Sequence, residues 1–322
     1  MINKPNIVIS KCINIDNCRY NGDRVNDDFL NKLWKHVNFI AVCPEVAIWL
    51  WTPRMPVKLY WNPDRNIVKM YQSSKKIDLT DKMNDFSNKF LNKLENIDWF
   101  VMKNRSPSCW IKDVKVYPDW KSKIAHGKSS WLFVKNIENI FENYPLEDEW
   151  RLKNFRIRES FLTKIFCLAK LRWVFESWKI SELQNFQAEN KYLFMAYSPK
   201  YQVELWRIIA SYDKTNFEEI KKYYHETILK LFNSKNDTWK IINAFTHIFW
   251  YFKNSCSKEE KEFFLETLDL YKESRIPSST IINILNIWAI RDKQEYILKQ
   301  TILNPYPKDL MELSDSWKLL KL

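Results

Sequence analysis

Apolar residues form short unbroken runs along the first 145 residues and recur at helical spacing along the rest. Asn6–Ser10 (NIVIS), Phe39–Val42 (FIAV) and Phe100–Met102 (FVM) have the length and character of buried strands. Val114-Lys-Val116 alternates and predicts a short strand. Between these runs, Asp27–His36 and Thr80–Leu94 predict helices. Thr80 is placed as an N-cap, and Met83, Phe86, Phe90, Leu91 and Leu94 fall three and four apart. Leu132–Phe141 predicts a closing helix. The alternation predicts an α/β N-terminal domain, Rossmann-like with a mostly parallel sheet.

The pattern changes near Pro145–Trp150. Seven segments then show apolar residues three and four apart: Ile157–Glu176, Ser181–Met195, Pro199–Tyr212, Phe217–Phe232, Trp239–Asn254, Lys258–Lys272 and Ser278–Ile290. Ser181 with Gln184 and Ser257 with Glu260 have the spacing of capping boxes. An all-α helical C-terminal domain is predicted. The divisions are 1–147 for the α/β domain, 148–187 for a helical connector, 188–310 for the helical domain and 311–322 for a tail. No repeat with the period of a solenoid is present.

Cysteines end or follow the strand-like runs: Ser10-Lys11-Cys12, Cys43-Pro44-Glu45 and Ser106-Pro107-Ser108-Cys109. Turns after the strands of an open α/β sheet meet in one crevice, so three thiols and a carboxylate distant in sequence can converge there. Three thiolates suit an iron–sulfur cluster with one iron left free, or a zinc site with an open position. The bland alternatives are buried structural thiols, a capping role for Glu45 and a turn role for Ser108. Cys167 and Cys256 lie in helical patterns and read as core or surface thiols. His247 reads as a core histidine on the apolar side of its helix.

Six cysteines in 322 residues do not make a disulfide scaffold. No apolar run approaches the roughly 20 residues of a membrane span, and no secretory leader is recognisable, so a cytoplasmic protein with no membrane partner is expected. The net charge of +12 favours nucleic acid as a partner. The abundance of Lys, Asn and Ile, the signature of a low-GC genome, weakens that argument.

The chain has 16 Trp and only 2 Gly, where about 22 glycines would be usual at roughly 7%. Trp49 and Trp51 flank Leu50 before Thr52-Pro53-Arg54. Trp61 precedes Asn62-Pro63-Asp64, Trp110 follows a cysteine, and Trp131 opens Leu132-Phe133-Val134. These are places for glycine. The two anomalies, opposite in sign, point to a gene from a lineage that reads UGA as glycine, with most of these tryptophans being glycine in the cell. The alternative is a genuinely tryptophan-rich protein.

Residues from about 5 to 145 resemble the domain of unknown function 523 (DUF523) group, whose characterised members are thiouracil desulfidases. The matching pieces are Ser10-Lys-Cys-Ile13, Cys18-Arg-Tyr-Asn-Gly22, Val42-Cys-Pro-Glu-Val46, Pro53-Arg-Met-Pro56, Asp78-Leu-Thr80 and Lys103-Asn-Arg-Ser-Pro-Ser-Cys109. Residues from about 188 to 310 resemble the DUF1722 group through Lys191-Tyr-Leu-Phe-Met-Ala-Tyr-Ser-Pro199, Asn243 with His247, Tyr251-Phe-Lys253 and Asn304-Pro-Tyr-Pro-Lys308. The two domains in this order resemble bacterial desulfidases that remove sulfur from 4-thiouridine in tRNA.

The resemblance implies a 4Fe-4S cluster on Cys12, Cys43 and Cys109, with the fourth iron open to the thiocarbonyl sulfur. It implies Glu45 as the proton shuttle and Ser106 as a residue that orients substrate or relays a proton. Cys18, otherwise a fourth ligand, and Ser108 are expected to stand behind the ligands, and Arg19, Arg54 and Arg105 either to bind substrate or phosphate or to pair with acids, with phosphate slightly favoured for Arg54. The helical domain is expected to bind tRNA, with Lys221, Lys222, Lys253, Tyr223 and Tyr224 as contacts. The family has glycine at positions 34, 49, 51, 99, 110, 131, 150, 206 and 250, where this chain shows tryptophan, and tolerates tryptophan at 173. Two rival readings stand beside the tRNA desulfidase. One is a desulfidase for free thiouracil-type bases; the other is a non-enzymatic protein that binds metal and RNA.

Overall fold

The computed structural model describes residues 4–62, 67–72, 76–106, 108–111, 114–119, 122, 124–125, 127–129, 132–235 and 237–312. Pro107 and Trp131 of the sequence analysis lie outside these residues. In chain order the first part contains β1 (Asn6–Ser10), α1 (Asp28–Leu33), β2 (Asn38–Val42), α2 (Pro44–Ala47), β3 (Lys58–Asn62), β4 (Ile67–Gln72), β5 (Ile77–Asp78), α3 (Thr80–Leu91), β6 (Trp99–Met102), β7 (Val114–Tyr117), β8 (Gly127–Ser129), α4 (Leu132–Ile140) and β9 (Leu146–Asp148). Among the described residues nine α-helices follow: α5 (Phe155–Glu176), α6 (Ile180–Glu189), α7 (Lys191–Tyr197), α8 (Pro199–Ala210), α9 (Phe217–Asn233), α10 (Thr238–Phe249), α11 (Lys258–Lys272), α12 (Ser278–Arg291) and α13 (Glu295–Leu298).

Three of the predicted strands, β1, β2 and β6, form with the unpredicted β9 a four-stranded sheet in the order β2-β1-β6-β9, with every pairing parallel; the fourth predicted strand, β7, lies in another sheet. Ser10 pairs with Val42, Ile9 with Val101, and Met102 with Asp148. A parallel arrangement puts the C-terminal ends of all four strands on one side, which is where the cysteine motifs begin. Ile7, Val8, Phe100 and Val101 are wholly buried, as a sheet covered on both faces requires.

A second, five-stranded sheet, β5-β4-β3-β7-β8, was not foreseen beyond β7. Its β3–β4, β4–β5 and β7–β8 pairings are antiparallel, and its β3–β7 pairing is parallel. Polar residues alternate with Leu59 and Met70 in these strands, so no continuous apolar run announces them. Leu59 and Met70 are nevertheless fully buried, in one cluster with Val8, Phe100, Met83 and Phe133.

Local chemistry moves two helix starts. α3 begins at Thr80, but the capping acceptor is Asp78, whose Oδ1 accepts from Thr80 N (3.0 Å) and Thr80 Oγ1 (2.6 Å). Thr80 Oγ1 in turn accepts from Met70 N (2.9 Å) and ties the helix to β4. α6 starts at Ile180 with Lys179 as its uncapped N-cap, so Ser181 and Gln184 lie inside it and form no capping box. The box at Ser257 and Glu260 is present at the start of α11.

The chain divides into two compact units, Met1–Ala169 with Leu310–Leu322, and Lys170–Asp309. Among the described residues, no helix is long and apolar enough to cross a membrane.

The tryptophans behave unlike the phenylalanines. Ten are exposed, whereas Phe263 is the one exposed phenylalanine among the described residues. Trp49 (φ 67°) and Trp178 (φ 56°) occupy the left-handed region just past α2 and α5. That is the place and conformation in which helices end on glycine. Trp49 is 77% exposed. The buried Trp99 leaves its indole Nε1 without a hydrogen-bond partner among the described residues.

Candidate thiol and carboxylate site

The turns after β1, β2 and β6 supply the site. After β1 the chain turns back through an isolated parallel bridge, Ile13 with Val25, and Val25 N donates to Cys12 O (2.8 Å). This loop holds Cys12 and Cys18 close together. After β2, Cys43 is the N-cap of α2, Pro44 starts the helix and Glu45 lies in its first turn. Pro44 is suited to that place because its missing N–H has no helical partner there. After β6, residues 103–109 bring Ser108 and Cys109 back under cover.

The thiols converge. Cys12, Cys18 and Cys109 are buried and Cys43 is half-buried. The Cys18 thiol interacts with both Cys12 and Cys43. Cys109 lies within electrostatic reach of Cys43 and hydrogen-bonds the Ser10 side chain. These surroundings resist ionisation. The bond from Cys12 and burial push the Cys18 thiol up to about 12, and burial pushes Cys109 up to about 12. The bond with Cys18, then burial, raises Cys43 as well. Lys11, paired with Asp16 at 2.7 Å, is the cation that feels Cys18 and Cys43.

Glu45 is the buried carboxylate of the site, 3% exposed. Its Oε1 accepts from Ser108 Oγ (2.8 Å) and its Oε2 from Arg54 Nε (2.6 Å). Arg54 also donates through Nη2 to Cys18 O (3.0 Å) and through Nη1 to Thr52 Oγ1 (3.1 Å). Ser108 Oγ is 3.5 Å from Cys109 Sγ and 3.4 Å from Ser106 Oγ. One chain of contacts therefore runs Ser106–Ser108–Glu45–Arg54, touching Cys109 and Cys18 on the way.

The sequence-derived residues do not all meet. Arg54, expected at a phosphate, is instead buried against Glu45. Arg105 is exposed, with a left-handed backbone (φ 55°), and Arg19 is half-buried in the turn before Gly22. Ser108 rather than Ser106 touches the carboxylate. Three contributors were missed. Ser10 Oγ accepts from Lys103 N (2.9 Å). Lys103 Nζ pairs with the buried Glu149, whose other oxygen accepts from Asn104 N (2.7 Å). Ser10 and Lys103 lie inside the cysteine motifs, so their position was the available signal. Glu149, more than forty residues on, carried none.

Among the described residues no group of His, Cys, Asp or Glu is arranged as the ligand sphere of a single metal ion. The donor set is thiol-rich and distributed over three turns. That suits a polynuclear cluster, whose ligands sit on separate irons, better than one zinc ion.

In the second unit, two expectations are corrected. Tyr224 is fully buried and bonds Gln187, so it is a core residue and not an RNA contact. His247 is exposed, because the buried stripe of α10 runs through Ala244, Phe245 and Ile248. Lys221 pairs with Glu218 (2.7 Å) and lies over Trp178. Lys253 lies over Trp250 (4.4 Å), and Tyr223 is exposed. Cys167 and Cys256 are buried thiols.

Residues 7–149 match the family model described as 2-thiouracil desulfurase. Residues 191–307 match a protein of unknown function, DUF1722. A solved structure described as a 4Fe-4S-dependent thiouracil desulfidase, TudS, is similar at 21% identity, over 49% of this chain and 99% of that one, with a TM-score of 0.36. A search of the curated proteins finds no match.

Proposed function

We propose that this chain, which carries a 2-thiouracil desulfurase domain followed by a DUF1722 domain, removes sulfur from 4-thiouridine in tRNA. The reaction is hydrolytic and redox-neutral. The C–S bond of the thiocarbonyl breaks, a C–O bond to water forms, and sulfur leaves as sulfide with the protons of that water. The observation that carries this reading is the buried Glu45 carboxylate, held by Ser108 and Arg54 among four converging thiols.

Each residue then has a task. Glu45 takes the proton of the attacking water at a carboxylate oxygen and returns it to the departing sulfur or the ring. Arg54 holds Oε2 and Ser108 holds Oε1, so the carboxylate is fixed before substrate arrives. Ser106, in reach of Ser108, orients the base. Cys12, Cys43 and Cys109 would hold the 4Fe-4S cluster, with Cys18 behind them. When bound, that cluster supplies a soft Lewis-acid iron with affinity for the thiocarbonyl sulfur. Arg19 and Arg105 remain the candidates for the substrate's phosphate. The net charge of +12 supports a polyanionic substrate.

The test is an anaerobic reaction of the iron-reconstituted protein with tRNA containing 4-thiouridine, following loss of the thionucleoside and appearance of uridine. Iron-dependent conversion, lost in Glu45→Gln with iron retained, is the expected result. No conversion by iron-loaded protein would reject tRNA. Turnover of free 2-thiouracil would then establish the second reading, which the name of the matching family favours. Turnover of neither substrate leaves the non-enzymatic metal- and RNA-binding protein. A protein that holds no iron would overturn the three-cysteine assignment.

A further inference from the structure

The second unit has a cavity of its own, about 720 Å³, between α6, α7, α8 and α13. Its size is that of a small-ligand pocket. Its lining includes three amides, Gln184, Gln187 and Gln202, one cation, Lys191, and the aromatic rings of Trp206 and Tyr296. The remaining walls are aliphatic, and no carboxylate lines it.

Two pieces of the motif that characterises this half meet beside the cavity. Lys191-Tyr192 and Tyr251-Phe-Lys253 are about sixty residues apart, yet Tyr192 Oη donates to Tyr251 Oη at 3.3 Å. Tyr296 joins them, with ring centroids 5.9 Å from Tyr251 and 6.4 Å from Tyr192. Tyr251 and Tyr296 both keep exposed surface. Tyr296 therefore lines the cavity on one side and packs on the Tyr192–Tyr251 pair on the other.

We propose that this cavity binds one unpaired nucleotide of an RNA, with its base among the amides and Tyr296 and its phosphate on Lys191. The proposal rests on the tRNA reading for the identity of that RNA. The lining chemistry selects the ligand class. A side-chain amide both donates and accepts, as does the edge of a nucleobase. A tyrosine ring offers a stacking face that tolerates any base. The lone lysine and the absence of lining carboxylates suit a single phosphate. Gln187 is already bonded to Tyr224 and to Gln202 O, but an acyl chain or apolar peptide would strip water from the Gln184 and Gln202 side-chain amides without replacing its bonds, at a cost. Gln187 is already oriented, because its Oε1 accepts from the buried Tyr224 hydroxyl. Its position is thereby fixed before a ligand enters. Glycine at 206, as the recoding reading expects, would enlarge the cavity and leave the amides, Tyr296 and Lys191 in place.

The experiment uses the full-length protein and a fluorescein-labelled oligouridylate of about ten nucleotides, within the usual range of single-strand site sizes. The probe contains no thiolated base, so binding requires neither turnover nor iron. Anisotropy titrations across a salt series are expected to show Tyr296→Ala weakened about tenfold and Tyr296→Phe near the parent. Lys191→Ala should lower the salt slope by about one. Gln184→Ala combined with Gln202→Ala should narrow the preference between oligouridylate and oligoadenylate while keeping the slope. Circular dichroism and melting identify any variant that is unfolded. No binding by the parent, or parent-like binding by all folded variants, overturns the pocket. Binding through the pocket by a protein that leaves 4-thiouridine intact would keep the pocket and reject the substrate. Conversion of 4-thiouridine without any pocket effect would do the reverse.

Discussion

Glu45 and Arg54 form the most consequential pair in the chain, with side chains only 3% and 6% exposed. A buried pair contributes little net stability compared with an apolar packing, but removing one partner strands the other's charge. Arg54→Ala is therefore expected to destabilise the first unit by roughly 3 kcal/mol. It should also lower kcat more than it raises KM, because the misplaced carboxylate is needed in the transition state. Arg54→Lys should restore much of the stability and little of the rate, since lysine cannot reproduce the directed guanidinium contacts to Glu45 and Cys18 O. Chemical denaturation beside steady-state kinetics separates the two effects. A variant with normal stability and normal kcat would place Arg54 outside the machinery. Glu45→Gln keeps the shape and should lose about 10²–10⁴-fold in turnover. Iron content measured on the same sample shows whether the loss belongs to the chemistry or to the site's assembly.

Among the elements, the segment after β6 depends on one clamp. Lys103 and Asn104 both bind Glu149, just past β9, so the parallel β6–β9 pairing is extended by side chains into the loop that carries Ser108 and Cys109. Glu149→Ala would leave the mostly covered Lys103 ammonium without its carboxylate and with the Asn104 carbonyl as its remaining contact. The expected result is less iron per chain after reconstitution and a lower denaturation midpoint, with Glu149→Gln milder on both. A second test concerns Lys164 on α5, where burial lowers the ammonium to about 8 from its ordinary 10.5, against the opposing pull of Glu147. Between those values the unfolded chain binds more protons than the folded one, so stability should rise with pH from about 8 to 10.5. Below that window the charged, buried lysine imposes its full penalty. Lys164→Met should be more stable at neutral pH and lack this rise. A wild-type midpoint that stays flat through the window would show that Lys164 is better solvated than its burial implies.

The legibility of these elements follows their physics. β1 and β6 were visible because strands buried on both faces are continuously apolar, and the half-buried edge strand β2 because its Phe39–Val42 run is apolar too. The meander of β3, β4 and β5 was not, because half-buried strands carry polar residues and their partners are set by tertiary contacts. Helix existence was readable from periodicity in both units, but the α3 start depended on a neighbouring acceptor, Asp78, and α6 starts one residue early with no side-chain cap. At the site, the cysteines and Glu45 were legible because each lies beside a strand end in a compact motif. Arg54 had two readings for a reason general to arginine: its type signals an anion, and only the fold says that the anion beside it is the Glu45 carboxylate.

For the whole molecule, the distribution of tryptophan decides what the chain is. Burying an indole removes a large apolar area from water, and each such side chain left outside forgoes roughly 2 kcal/mol or more. A fold that, among the described residues, exposes one phenylalanine has little reason to expose nine tryptophans besides Trp173. Two of them also pay for left-handed backbone that glycine adopts freely. Both costs vanish if those positions are glycine, and so does the near-absence of glycine from a chain with many helix ends. The intact mass of the protein isolated from its own cells should therefore fall well below the 39.2 kDa of the printed sequence. Peptide fragmentation should show glycine at 49 and 178 and retain tryptophan at 173. A mass equal to the printed sequence would end the recoding reading and leave an indole beside Cys109 at position 110. The corresponding comparison in one host, with and without glycine at the family's glycine positions, carries its own prediction. The glycine form should gain solubility by shedding exposed apolar surface, and gain iron by freeing the flank of a cluster ligand. Equal iron in both forms would show that Trp110 leaves the thiols accessible.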